Sequence, residues 1–355
     1  MSLAEFYARC WENRRLLSLM LELTYACDLR CDFCYNEKEK RGERLTLDDY
    51  QRILKEARAE GALFLTLTGG EPTLHPEFFA IGASADRLGY SVRVKSNGHG
   101  FTKELVQRLR DEVRPYNVDL SIHGATEATH DAVTGVTGSF NRLMEAVELL
   151  NGAGIRIRWK FPLTRINEGE LEQVFDLARA KGLKLDVFPE ITPKDSGDLS
   201  PTRLTASLDG LRRMYALLHR QIPDPDSGFV SEEETDRMQR QMNTPFACGA
   251  GVFNLMVDPF GVAFACVAWR DPLGDLRRAS VREIWDGEAS ERLRAQNREA
   301  GSRKRLNPDL EGEMYCPGRA FAQYANPLTI YPDSVMLATI SRTSKKSKDL
   351  EDEKE

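Results

Sequence analysis

Three cysteines fall within eight residues of LELTYACDLRCDFCYN: Cys27, Cys31 and Cys34, with three and then two residues between them. Thiolates are soft ligands that favour iron–sulfur clusters or zinc. Their number decides what chemistry they can support. A closed structural zinc site takes four ligands, whereas a four-iron cubane on three cysteines keeps one iron free to chelate a small molecule through an amine and a carboxylate. A zinc ion with a distant fourth ligand, or three thiols close together without a metal, are the competing readings. Another three cysteines, Cys248, Cys266 and Cys316, lie far along the chain, and Cys10 stands alone. An odd total of seven makes a poor disulfide framework.

The elements that must position the first trio are legible as alternating patterns. Strand-like runs cover 17–23, 63–68, 91–96, 117–122, 155–161 and 183–188. Helical patterns fall between them: Leu47–Glu60 behind a Thr46 cap, Pro76–Leu88, Lys103–Arg110, Ser139–Leu150 and Glu168–Lys181. Strands alternating with helices predict a parallel sheet with right-handed crossovers. Six such units are two short of a closed eight-unit barrel, so the expected fold class is α/β, a partial (β/α)6 TIM-like barrel. The cysteine loop directly follows the first strand. TGGEP (68–72), KSNG (95–98) and LSIHG (120–124) end the second, third and fourth. All four therefore gather at the C-terminal end of the strands, where β/α barrels build active sites.

With these motifs the chain resembles the radical S-adenosylmethionine superfamily; the cysteine spacing matches its signature, with Phe33 just before the last cysteine. The resemblance implies a 4Fe–4S cluster on Cys27, Cys31 and Cys34 that binds S-adenosylmethionine and splits it reductively to a 5′-deoxyadenosyl radical. It also implies that Gly69, Gly70 and Glu71 meet the methionine portion, with Glu71 an acceptor for the ammonium. Ser96, Asn97 and Ser121 become ribose or carboxylate partners, and Phe33 packs near the adenine. Thr134 stands where many relatives carry an Arg. Lys160 either faces the pocket or sits solvated on the rim. His75 and His123 adjoin the cofactor motifs and are candidates to line the pocket; the competing reading for them, as for His99, His130 and His219, is a hydrogen-bonded loop histidine, and Cys10 reads as a buried apolar residue.

The second trio sits in a different texture. CGAGVFNLMVDPFGVAFAC holds a hairpin pattern around a Pro/Gly turn. With the following SVREIW helix it resembles the SPASM/Twitch modules, a small α+β iron–sulfur extension of the same superfamily. Three cysteines support at most one auxiliary iron–sulfur cluster; packed inert thiols or zinc are the alternatives. The expected organisation is an N-terminal extension at 1–16, the barrel at 17–190, a bridge at 191–245, the auxiliary module at 246–331 and a disordered polar tail at 332–355.

The 355 residues carry a net charge of −6, which argues against a general nucleic-acid binder. No apolar run reaches the ~18 residues of a membrane span, and the N-terminus lacks a secretory pattern. A cytoplasmic location is the expectation. The run VDLSIHGATEATHDAVTGVTGSFNRLMEAVELL looks like enzymes that crosslink, epimerise, decarboxylate or excise residues of ribosomally made peptides. A small-molecule enzyme acting on a tetrapyrrole or a sugar is the alternative, and a non-catalytic metal-binding protein the third. The resemblance implies a precursor peptide as substrate and a reducing partner such as flavodoxin or ferredoxin. About sixteen residues before strand one leave no room for a fused leader-binding winged helix, so a separate one is expected.

Overall fold

The computed structural model describes residues 3–221, 245–310 and 315–352. Six strands form where the alternation predicts: β1 Ser18–Glu22, β2 Phe64–Thr68, β3 Ser91–Ser96, β4 Asn117–Ser121, β5 Ile157–Pro162 and β6 Lys184–Phe188. Each pairs in parallel with the next. The connecting helices hold the outer face. Leu47–Ala59 starts at a reciprocal Thr46–Asp49 capping box and buries Tyr50, Ile53, Leu54 and Ala57, the i, i+3, i+4, i+7 stripe of an amphipathic helix. Val92, Val94, Val118, Leu120, Trp159 and Phe161 are buried in the same core.

The alternate positions of β3–β6 tell a different story. Arg93, Lys95, Arg158, Lys160 and Asp186 are half-buried and Asp119 is buried. Parallel sheets usually bury both faces in apolar contacts, and a closed barrel packs its interior. A charged inner face belongs to a barrel left open, whose interior is a chamber.

The C-terminal hairpin extends this sheet. β7 (Asn254–Val257) pairs in parallel with β1, and β8 (Val262–Phe264) and β9 (Gly274–Asp275) follow antiparallel. One nine-stranded sheet results, in the order β6-β5-β4-β3-β2-β1-β7-β8-β9. The hairpin turn works because Asp258 Oδ1 accepts from the amides of Phe260 and Val262 while Gly261 takes φ 86°. At the N-terminus Leu3–Glu12 is helical, and the Trp285 indole donates to Arg14 O at 2.6 Å.

The C-terminal segment departs from the expected organisation. The segment from 332, read as a disordered tail, forms a helix over Pro332–Asp352. Leu337, Ala338 and Ile340 are buried and Arg342 donates to Pro308 O, so a few apolar residues at helical spacing anchor an otherwise polar stretch. Residues 353–355 and part of the expected bridge, 222–244, lie outside the described residues; Leu208–Gln221 is the helix expected there. Among the described residues no helix is long and apolar enough to cross a membrane.

Candidate active site

The loop leaving β1 is laid onto the loop leaving β2. Leu23 N donates to Thr68 O at 2.9 Å, Gly70 N to Thr24 O at 2.7 Å and Glu71 N to Ala26 O at 2.8 Å. This contact requires both glycines. Gly69 has φ 136°, and a Cβ there would stand 2.3 Å from Thr24 O; at Gly70 it would stand 2.3 Å from Ala26 O. Gly70→Ala must therefore push the cysteine loop away. We expect a loss of about 1–3 kcal/mol of stability together with iron at the first trio, read by urea unfolding and by iron analysis.

The three thiols sit on this braced loop. Cys27 Sγ accepts from Leu29 N at 3.5 Å and from the Asn97 amide at 3.6 Å. Cys31 and Cys34 line a cleft of about 650 Å³ together with Arg30, Asn36 and Lys38. Burial pushes the Cys27 thiol up to about 11 and Cys31 up to about 12, with Cys34 and Cys27 adding repulsion at Cys31. Burial raises Cys34 as well. Metal coordination removes that penalty, because a coordinating thiol is deprotonated outright. Both amide atoms of Asn36, on the wall of the same cleft, are buried without a hydrogen-bond partner. An orphaned buried amide costs about 1–3 kcal/mol, so the cleft is built to hold something. Among the described residues no group of three or more His, Cys, Asp or Glu side chains is arranged to hold a single metal ion. Such a site would need thiolates on one ion at about 2.3 Å.

The remaining motif residues divide by role. Glu71 is buried, and its carboxylate accepts from Thr73 N, Thr73 Oγ1, Ser96 Oγ and Asn97 N at 2.6–3.2 Å. Those bonds occupy most of its lone pairs, so Glu71 clamps the β2 loop to the β3 loop and has little capacity left for an ammonium. Asn97 also donates to Asp28 Oδ1 at 2.7 Å, tying the β3 loop to the cysteine loop. Ser121, at the end of β4, is half-buried and in register with Lys160. The Phe33 ring stacks 5.3 Å from that of His123, itself 5.3 Å from His130. Burial holds both imidazoles below their ordinary value, His130 at about 4, so this wall is neutral.

Thr134 is buried: its hydroxyl meets Ser139 Oγ at 2.7 Å and its carbonyl accepts from Arg30 N at 2.8 Å. It supports the cysteine loop from a third side. Lys160 is 18% exposed and ion-paired to Asp186 and Asp119, which rules out a solvated rim lysine. His75 Nδ1 accepts from Glu77 N, and His99 lies next to Asn97, its Nδ1 buried without a partner. The His219 side chain lies outside the described residues. Cys10 is buried in the N-terminal helix.

The second trio also converges. Cys248 precedes β7, Cys266 follows β8 and Cys316 caps Pro317–Tyr324. Burial raises all three, Cys248 to about 12; Cys266 adds repulsion at Cys248, and both Cys266 and Cys248 do so at Cys316. Arg319 N donates to Cys316 Sγ at 3.4 Å and the Asn297 amide to Cys248 Sγ at 3.7 Å, the kind of sulfur hydrogen bond that tunes iron–sulfur centres.

Sequence reasoning missed the device joining the two trios. Arg270, four residues after Cys266, donates to both oxygens of the fully buried Glu22 at 2.9 Å. It pairs with Asp195 at 3.1 Å and donates to Tyr25 Oη, while Tyr35, next to Cys34, donates to Glu22 at 3.0 Å. A buried acid ending a strand, with no partner nearby in sequence, was the available signal.

The family model for the Radical SAM superfamily matches residues 21–178, and that for an iron-sulfur cluster-binding domain, SPASM, matches 248–307. Mycofactocin maturase MftC of Mycobacterium ulcerans is 30% identical over 259 residues, covering 70% of this chain and 68% of that protein. The chain spans only 64% of the length of the Mycobacterium tuberculosis MftC, also 30% identical over 70% of this chain. AdoMet-dependent heme synthase of Methanosarcina barkeri is 25% identical, covering 75% of this chain and 80% of that protein. The crystal structure of Streptococcus suis SuiB bound to precursor peptide SuiA shares the fold with a TM-score of 0.64. It has 17% identity and covers 82% of this chain and 70% of that one.

Proposed function

The chain belongs to the radical S-adenosylmethionine superfamily, and from that premise we propose that it is a maturase that abstracts hydrogen from a ribosomally made precursor peptide. The observation that carries this reading is the pair of cysteine trios, one at the C-terminal end of β1 and one in the hairpin module fused to the same sheet. Cys27, Cys31 and Cys34 would hold the catalytic 4Fe–4S cluster, and Cys248, Cys266 and Cys316 one auxiliary cluster; both donor sets are soft and buried enough to suit iron–sulfur binding. When bound, the first cluster supplies one electron that breaks a carbon–sulfur bond of S-adenosylmethionine and yields a 5′-deoxyadenosyl radical. The protein's part is to bind, orient and shield. Gly69 and Gly70 hold their loop against the cysteine loop, Glu71 fixes Ser96 and Asn97 in place, Phe33 on His123 offers an apolar, uncharged wall, and Ser121 adds a hydroxyl at the mouth.

A peptide substrate is supported by the likeness to MftC, a maturase by name. A separate leader-binding winged-helix protein and a flavodoxin or ferredoxin complete this reading. Seven free cysteines suit the reducing cytoplasm, where we place the activity. The likeness to AdoMet-dependent heme synthase favours a tetrapyrrole as the second reading.

The test is an anaerobic mass-spectrometric assay with a short peptide encoded beside this gene. The peptide should change mass and 5′-deoxyadenosine should appear with it; an unchanged peptide beside a converted tetrapyrrole would select the second reading. In the same assay Cys266→Ala should keep peptide-independent 5′-deoxyadenosine release within about threefold while product falls on the order of a hundredfold. Equal loss of both would make the second module a folding element.

A further inference from the structure

The inner face of β3–β6 carries more cations than it can neutralise. Its buried or half-buried positions hold Arg93, Lys95, Arg158 and Lys160 against Asp119 and Asp186. Glu22, at the same end of β1, is already satisfied by Arg270 and Tyr35. The anions are shared out: Asp119 Oδ2 faces Lys160 at 3.6 Å and Arg93 at 3.9 Å, and Asp186 takes Lys160 and Arg158.

Lys95 is left over. It lies in register with Asp119, which lies in register with Arg158. Yet among the described residues Lys95 makes no hydrogen bond and no ion pair within 4 Å; the carboxylates of Asp119 and Glu22 act on its ammonium only from farther away. Burial pushes its ammonium below the ordinary lysine value, a cost that a bound anion would reverse. Its position is telling as well. Lys95 directly precedes Ser96 and Asn97, the residues that tie the β3 loop to Glu71 and to Cys27. An anion held there lies at the floor of the chamber, beneath the loop that faces the cysteine trio.

We propose that the part of the substrate entering the barrel carries a carboxylate, and that Lys95, flanked by Lys160 and Arg93, is its receptor and sets specificity. A neutral side chain would leave this cationic surplus unpaired inside a half-buried chamber, whereas a carboxylate accepts from ammonium and guanidinium donors together. The proposal rests on the peptide reading only for what carries the carboxylate, either an acidic side chain or the chain terminus.

The test is saturation-transfer NMR on the full-length, iron-loaded protein with S-adenosylmethionine. The probes are short Gly/Ser/Tyr peptides of one sequence: one with Glu and an amidated terminus, one with Gln and a free terminus, and one with Gln and an amidated terminus. Glutarate is the non-peptide arm. Wild type should bind at least one acidic peptide about tenfold or more tightly than the fully neutral one, and whichever does identifies the source of the carboxylate. Lys95→Met should shrink that preference to within about twofold, and Lys95→Arg should keep most of it. Iron content and peptide-independent 5′-deoxyadenosine release report that each variant is folded and loaded. If no peptide binds but glutarate does, and Lys95→Met abolishes it, the peptide reading fails while the anion receptor stands. Equal binding of acidic and neutral peptides by wild type, a preference that survives Lys95→Met, or no binding of any probe would overturn the proposal.

Discussion

Alanine at Cys27, Cys31 or Cys34 is expected to lower 5′-deoxyadenosine release by on the order of a thousandfold or more. Each single substitution should do so to a similar extent, because ligands acting as a unit are not additive. The three side chains occupy one loop, braced by the GGEP backbone, by Asn97 and by the Thr134 carbonyl. None of those braces uses a cysteine sulfur as its only anchor, so the fold should survive the substitution. The measurement is product release by mass spectrometry alongside iron per chain and circular dichroism. Retained folding with lost release and lost iron is the expected pattern. Retained release in any one variant would remove that cysteine from the site.

The second large effect concerns stability. Arg270 is 11% exposed and Glu22 is fully buried, and the two meet between the barrel and the C-terminal module. Arg270→Met removes the guanidinium that holds the buried Glu22 and the adjoining Asp195, leaving two neighbouring acids without their paired cation. Breaking a buried pair from one side costs about 3–5 kcal/mol, a large share of the roughly 5–15 kcal/mol that holds a domain. Denaturant unfolding of the iron-free protein should show this loss. Adding Glu22→Gln to Arg270→Met should recover part of it, since the stranded charge is then gone. An additive double variant would mean that the two residues do not work as a pair.

The barrel was legible because its strands obey a simple period. In SVRVKS the valines turn to the helices and the charged residues to the chamber, and the structure keeps that order from 91 to 96. The Thr46 capping box was equally readable, since its partners lie three residues apart. What escaped were links between residues far apart in sequence. Glu22 and Arg270 are 248 positions apart, and the parallel pairing of β7 on β1 joins segments that no local pattern connects. The helix at Pro332–Asp352 was masked by its polar composition; a few buried side chains sufficed to anchor it. Within the site, residue types exposed the donors but not their bonding. Glu71 reads as an available acceptor until Ser96, Thr73 and Asn97 are seen to occupy it.

A cluster on three cysteines must expose one iron that no protein atom holds. Anaerobic Mössbauer spectroscopy of 57Fe-loaded Cys248→Ala/Cys266→Ala/Cys316→Ala protein, recorded before and after addition of S-adenosylmethionine, looks at that iron directly. The expected result is a four-iron cluster in which one iron changes its isomer shift when the cofactor is added. A spectrum without a four-iron cluster, or one whose irons are indifferent to S-adenosylmethionine, would contradict the account.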